Sequence, residues 1–122
     1  MRTTIAAALA ALALAGCATR GTEVPLRAEG GMLVDGKGMT VYTFDKDPAG
    51  KSVCNGPCAA NWPPIQAAAD AKAVGAYTVI TRDGGERQWA YKGKPLYRWS
   101  KDVQPGDRSG DGVNNLWRVA RP

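Results

Sequence analysis

The chain contains two copies of one pattern, and that repetition limits its fold more than any other feature. Tyr42-Thr43-Phe44-Asp45-Lys46-Asp47 aligns with Tyr97-Arg98-Trp99-Ser100-Lys101-Asp102 at an offset of 55 residues, without a gap. Upstream, Lys37-Gly38 falls on Lys92-Gly93 and Val41 on Leu96. Downstream, Trp62 falls on Trp117, twenty residues after the tyrosine in both copies. Matches at one offset predict two similar units, each a hairpin ending in Y-x-[FW]-x-x-D, then a loop, then a tryptophan. The chain has 122 residues, so one small domain must hold both units. Hydrophobic residues make up 44%, but twenty of them are Ala. The core is therefore expected to be thin and to lean on its aromatics.

Short β runs broken by glycine-rich turns fill the chain from Gly31 onward. Met32-Leu33-Val34, Asp35 to Gly38 and Thr40 to Phe44 read as a hairpin. Tyr77 to Arg82, Arg87 to Tyr91 and Pro95 to Ser100 read as three strands joined by Asp83-Gly84-Gly85 and Lys92-Gly93-Lys94. Leu116 to Ala120 closes the domain as a last strand, and the Ala-rich Gln66 to Lys72 has room for one or two helical turns. The predicted class is mainly β: a small domain over residues 31–120, with repeats at about 31–65 and 86–120.

Strand alternation places Tyr42 and Phe44 on one face, and Tyr97 and Trp99 likewise. Asp47 and Asp102 follow where each strand gives way to a loop, so their carboxylates are expected to accept loop N–H groups. Two uses of the aromatics follow. Buried, they form the core; exposed, they make a stacking platform for a sugar or aromatic ligand.

The first sixteen residues belong to targeting rather than to the fold. Arg2 supplies a positive start, and Ile5 to Leu14 is an apolar run of about ten residues. That is too short to cross a bilayer of roughly 30 Å as a helix. Leu14-Ala15-Gly16-Cys17 has the form of a lipoprotein processing site, which makes 1–16 a cleaved signal peptide and Cys17 the acylated N-terminus. Residues 17–30 then read as a flexible tether. Stable anchoring by two or more acyl chains needs no help from protein charge. The formal charge falls from +5 to +4 once Arg2 is lost. A charge of +4 spread along the chain is ordinarily just a soluble surface; read functionally, it suits anionic head groups or envelope polymers, with an envelope protein as the other candidate partner, and no nucleic-acid partner is expected. With Ala18 in second place, a Gram-negative host would place the protein on the periplasmic side, with the outer membrane favoured.

Acylation of Cys17 leaves Cys54 and Cys58. An even pair in an oxidising compartment reads as a disulfide, and Asn55-Gly56-Pro57 lets the chain turn back to close it. So short a loop contributes roughly 2 kcal/mol. A redox dithiol or soft-metal site is the alternative, but the spacing is C-x3-C and the chain has no His. In the second copy the same stretch holds Asp107-Arg108-Ser109-Gly110-Asp111-Gly112, a weak calcium candidate through Asp107, Ser109 and Asp111. The twelfth position is Arg118, where a calcium loop of the EF-hand type needs Glu.

Taken together, YTFDKD, CNGPCAANWPP, QWAYKGKPLYRW and PGDRSGDGVNNLW resemble the bacterial lipoproteins that carry a Y-x-[FWY]-x-x-D motif, also called the secreted repeat of unknown function. The resemblance spans about residues 31–120. It implies two tandem repeats and an envelope location, and brings no activity, catalytic residue or cofactor. The absence of His and of a nucleophile elbow argues against a hydrolase. The expected function is a non-catalytic, lipid-anchored structural or binding module. A small ligand- or metal-binding module and a thiol redox protein are the alternatives, and no cofactor is expected.

Overall fold

Paired residues at positive φ build two of the tight turns. Strand β1 (Leu26–Glu29) runs antiparallel to β2 (Met32–Asp35) through Gly30-Gly31, at φ 63° and 80°. This left-handed pair matches the twist of a two-residue hairpin. The second copy repeats the device: β4 (Tyr77–Thr81), β5 (Arg87–Tyr91) and β6 (Lys94–Pro95) form a three-stranded antiparallel sheet. Its last turn is Lys92-Gly93 at φ 50° and 82°. Strand β3 (Tyr42–Phe44), a short helix α1 (Pro57–Asn61), a 3-10 turn (Val113–Asn115) and β7 (Trp117–Val119) complete the domain. It is mainly β. The computed structural model describes residues 24–122. The expected signal peptide at 1–16, Cys17 and the start of the tether lie outside those residues.

The two copies do not fold side by side; they interlock. β3 of the first copy pairs with β7 of the second, Tyr42 opposite Val119 and Phe44 opposite Trp117. Reciprocally, Tyr97 bridges to Pro64 of the first copy. At the centre Tyr42 and Tyr97 exchange backbone hydrogen bonds with each other, at 2.8 and 2.9 Å. Flanking bonds obey the same rule: Ala120 N–H donates to Val41 O at 2.8 Å, and Ile65 N–H to Leu96 O at 2.9 Å. Exchanging the copies maps each contact onto its partner, as an approximate two-fold axis requires.

Two buried clusters result. One is mostly aliphatic and centres on Leu33, Val41, Trp89 and Leu96. The other is aromatic, with Tyr42, Trp62, Tyr97, Trp99 and Trp117 around Cys54 and Val119. The thin, aromatic-dependent core follows from the scarcity of large aliphatic residues.

Several expectations need correction. The tether does not extend to residue 30, because Leu26–Glu29 is β1, with Leu26 buried. The repeats therefore begin one strand earlier than 31 and 86, at β1 and β4. The predicted hairpin of β2 with the Thr40–Phe44 run is reduced to a bridge from Val34 to Thr40, since β3 leaves to join β7. Likewise, only Pro95 of the Pro95–Ser100 run is ladder-paired to β5, together with Lys94 from the expected turn. The alignment also slips by one residue. Val41 N–H donates to Leu33 O as Leu96 N–H donates to Trp89 O, so Leu33 matches Trp89 and the first copy's turn is a residue longer. The helix forms at Pro57–Asn61, with proline in its first turn, and not in the Ala-rich stretch. There Gln66 instead bridges to Gln88.

Candidate functional site

Each motif tyrosine is bonded to the motif aspartate of the other copy. The Tyr42 hydroxyl donates to Asp102 Oδ2 at 2.6 Å, and the Tyr97 hydroxyl donates to Asp47 Oδ2 at 2.6 Å. The remaining carboxylate oxygens hold the loops that follow them. Asp47 Oδ1 accepts from Val53 N–H at 2.7 Å, while Asp102 Oδ1 accepts from Ser109 N–H at 3.0 Å and from its hydroxyl at 2.7 Å. The loop-holding role was legible in the sequence. The cross-copy bond was not, because only four residues separate Tyr from Asp in each motif and nothing local says that they avoid each other.

Both tyrosines are fully buried, at 0% exposure. Burial raises each phenol well above its ordinary pKa, and the hydrogen bond to a carboxylate adds to the shift. Burial also pushes the Asp47 carboxyl up, against the opposing pull of the Tyr97 hydroxyl, Val53 N–H and Arg82.

The two tyrosine hydroxyls differ in what else they meet. Tyr42 Oη accepts Gly110 N–H at 3.2 Å. Tyr97 Oη lies 2.6 Å from Ser52 Oγ. Because the single phenol proton goes to Asp47, Ser52 is the donor there. Ser52 in turn accepts Arg82 Nη1 at 2.9 Å and Cys54 N–H at 3.3 Å. Arg82 is 5% exposed and also reaches Gln88 Oε1, Cys54 O and Asn55 Oδ1. The polar hub of Arg82, Ser52 and Gln88 escaped the sequence reading. Its one signal was an arginine at the end of an apolar strand.

The aromatics stack on one another, and the order alternates between copies. Phe44 lies on Trp117 at 4.2 Å between centroids, Trp117 on Trp62 at 3.7 Å, and Trp62 on Trp99 at 3.9 Å. Tyr42 meets Trp62 edge-on at 5.4 Å, and Tyr97 meets Trp117 edge-on at 5.2 Å. Such pairs contribute about 0.5–1.5 kcal/mol each beyond the area they bury. Tyr42, Tyr97 and Trp99 are buried, whereas Phe44 at the end of the stack is only half-buried. The geometry is that of a core, not of an open platform. Gly110 is part of the packing, since a Cβ there would sit 2.9 Å from both the Tyr42 and the Trp62 rings.

Cys54 and Cys58 form a disulfide across the start of α1, with Cys54 fully buried. The side chains of the calcium candidate hold their own turns. Asp107 Oδ2 accepts from Val103 and Gln104 N–H, which lowers the Asp107 carboxyl below its ordinary pKa. The Ser109 hydroxyl donates to Asp102, and Asp111 Oδ1 accepts from Val119 N–H at 3.1 Å. Among the described residues no group of three or more His, Cys, Asp or Glu is placed to hold a metal ion.

A family model described as a secreted repeat of unknown function matches the chain twice, over residues 24–66 and 78–121. The protein belongs to that family. Each match runs from β1 or β4 to the end of the corresponding closing segment, in agreement with the repeats as folded. No curated protein and no solved structure matches the chain. Among the described residues no helix is long and apolar enough to cross a membrane.

Proposed function

We propose that this protein is a lipid-anchored, non-catalytic module of the cell envelope, which is held to the membrane through Cys17 and binds rather than transforms its partner. The reciprocal Tyr–Asp exchange carries this reading. The motif's tyrosine hydroxyls and aspartate carboxylates, buried except for a half-buried Asp47, are committed to one another and to loop amides. A side chain so engaged serves the scaffold and is not free to act on a substrate. Leu14-Ala15-Gly16-Cys17 and the secreted-repeat family both support envelope placement. The module is rigid, with its copies locked through pairing, stacking and buried hydrogen bonds, so recognition falls to its surface. Changing Cys17 to Ser tests the anchor. The expected product is unprocessed or released from membranes, read by fractionation and intact mass. An unchanged mass and unchanged membrane fraction would refute the anchor.

A further inference from the structure

The interlocked fold builds two clefts of like size on one matched backbone stretch, residues 63–66 and 118–121, and the two differ in charge. One, of about 380 Å³, is lined by Pro63, Pro64, Ile65 and Gln66, with Asp35 and Arg98. Those last two pair with each other at 3.4 Å, so it carries no excess charge. The other, of about 340 Å³, uses the matching stretch of the second copy, Arg118 to Arg121, with Asp45, Tyr91, Lys92 and Lys94. There Asp45 is taken by Arg118 at 3.0 Å, which leaves Lys92, Lys94 and Arg121 as an excess of three positive charges.

The fold requires the cleft's shape but not its charge. Position by position, the first copy keeps Lys37 for Lys92 but carries Pro63 for Arg118, Gln66 for Arg121 and Met39 for Lys94, and still folds the same way. Neither Lys92 nor Lys94 has a hydrogen-bond or ion-pair partner among the described residues; the Lys92 ammonium lies 5.4 Å from the Tyr91 ring centroid. Lys92 also sits at φ 50°, in a turn position where Asn or Gly would fit with less strain. Arg121 Nη1 donates to Gly31 O at 3.2 Å but faces no carboxylate among the described residues, and like charges gathered in one concavity without an anionic partner cost repulsion that a bound anion relieves.

We infer that the cleft between Arg118–Arg121 and the Lys92–Lys94 turn is a binding site for a phosphate group. The two ammoniums supply point charges, and Arg121 adds a planar fork suited to phosphate oxygens. The cleft lies within the range of small-ligand sites, large enough for a phosphate and the group that bears it. Both a soluble phosphate and a phospholipid head group present this chemistry. The inference rests on the protein being a binding module but not on its anchor, so fractionation and ligand titration can fail separately.

The test uses the full-length protein in neutral detergent and phosphate-free buffer, titrated with inorganic phosphate, pyrophosphate or short-chain phosphatidylglycerol and followed by amide chemical shifts. Short-chain phosphatidylcholine is the zwitterionic control. Saturable shifts are expected at Tyr91–Lys94 and Arg118–Arg121, weakening as salt rises. The double variant Lys94→Met/Arg121→Gln, which installs the first copy's residues, should weaken binding at least tenfold. Lys46→Gln/Lys72→Gln removes the same charge elsewhere and should change it less than twofold. Tighter binding of phosphatidylglycerol than of pyrophosphate assigns the head group, and the reverse assigns a soluble ligand. The proposal is overturned if none of the three anions saturates, if both double variants weaken binding equally, or if the shifts centre on Ile65 and Gln66.

Discussion

The cross-copy exchange can be tested by a double-mutant cycle on Tyr42 and Asp102. Tyr42→Phe removes a hydroxyl that donates to a buried carboxylate at 2.6 Å and accepts Gly110 N–H at 3.2 Å. A hydrogen bond to a charged group contributes about 1.5–3 kcal/mol, and an orphaned buried N–H costs about 1–3 kcal/mol. The single variant should therefore lose about 3–5 kcal/mol, a large part of the stability of a domain this size. Asp102→Ala deletes the same bond along with two to Ser109. The double variant should be less damaged than the sum of the singles by about 1.5–3 kcal/mol, since the shared bond is lost only once. Urea unfolding followed by tryptophan fluorescence at pH 7 reads each corner; Asp102→Asn replaces the alanine variant if that does not fold. The control cycle pairs Tyr42 with Asp47 of its own motif, which belongs to the other hydrogen-bonded set, and should be additive within about 0.5 kcal/mol. Coupling below about 0.5 kcal/mol for Tyr42–Asp102, or larger coupling within one motif than across the two, would refute the exchange.

Two further outcomes follow from the same core. Gly110→Ala places a methyl group 2.9 Å from ring atoms of Tyr42 and Trp62 and should cost about 1–3 kcal/mol, whereas Gly36→Ala, in open space, should stay within about 0.5 kcal/mol; thermal unfolding compares the two, and equal melting temperatures would contradict the packing. Burial raises the folded-state pKa of both Tyr42 and Tyr97, so the fold favours the neutral phenols. Their contribution is complete below the unfolded tyrosine pKa of about 10 and is lost as pH rises through the raised folded value. Stability should then fall by up to about 1.4 kcal/mol per pH unit for each tyrosine above pH 10, with a smaller share from Tyr77, whose phenol burial also raises, and Tyr42→Phe should make the slope shallower. Denaturant titrations between about pH 9 and pH 11.5 measure it, and a flat profile would remove the buried phenol–carboxylate bonds from the account.

Local chemistry in the sequence determined the mainly β class, the repeat itself, the Cys54–Cys58 bridge and the loop-holding aspartates. Strand alternation, turn residues and the C-x3-C cysteine spacing act over distances that a short window of sequence spans. The tertiary structure alone decided which copy each segment joins. A repeat offers every strand two nearly identical partners, and neither propensity nor periodicity separates β3 with its own closing segment from β3 with Trp117–Val119. Crossing the copies puts Trp62 and Trp117 face to face, gives Tyr42 a buried carboxylate and Tyr97 a half-buried one, and collects both effects at one axis. Arg82 was illegible for a related reason, because its partners come from residues about thirty positions away and from Gln88 on the next strand. The basic cleft likewise joins the Lys92–Lys94 turn to Arg118 and Arg121. In the sequence these are scattered surface charges, and only the pairing of β3 with β7 makes them neighbours.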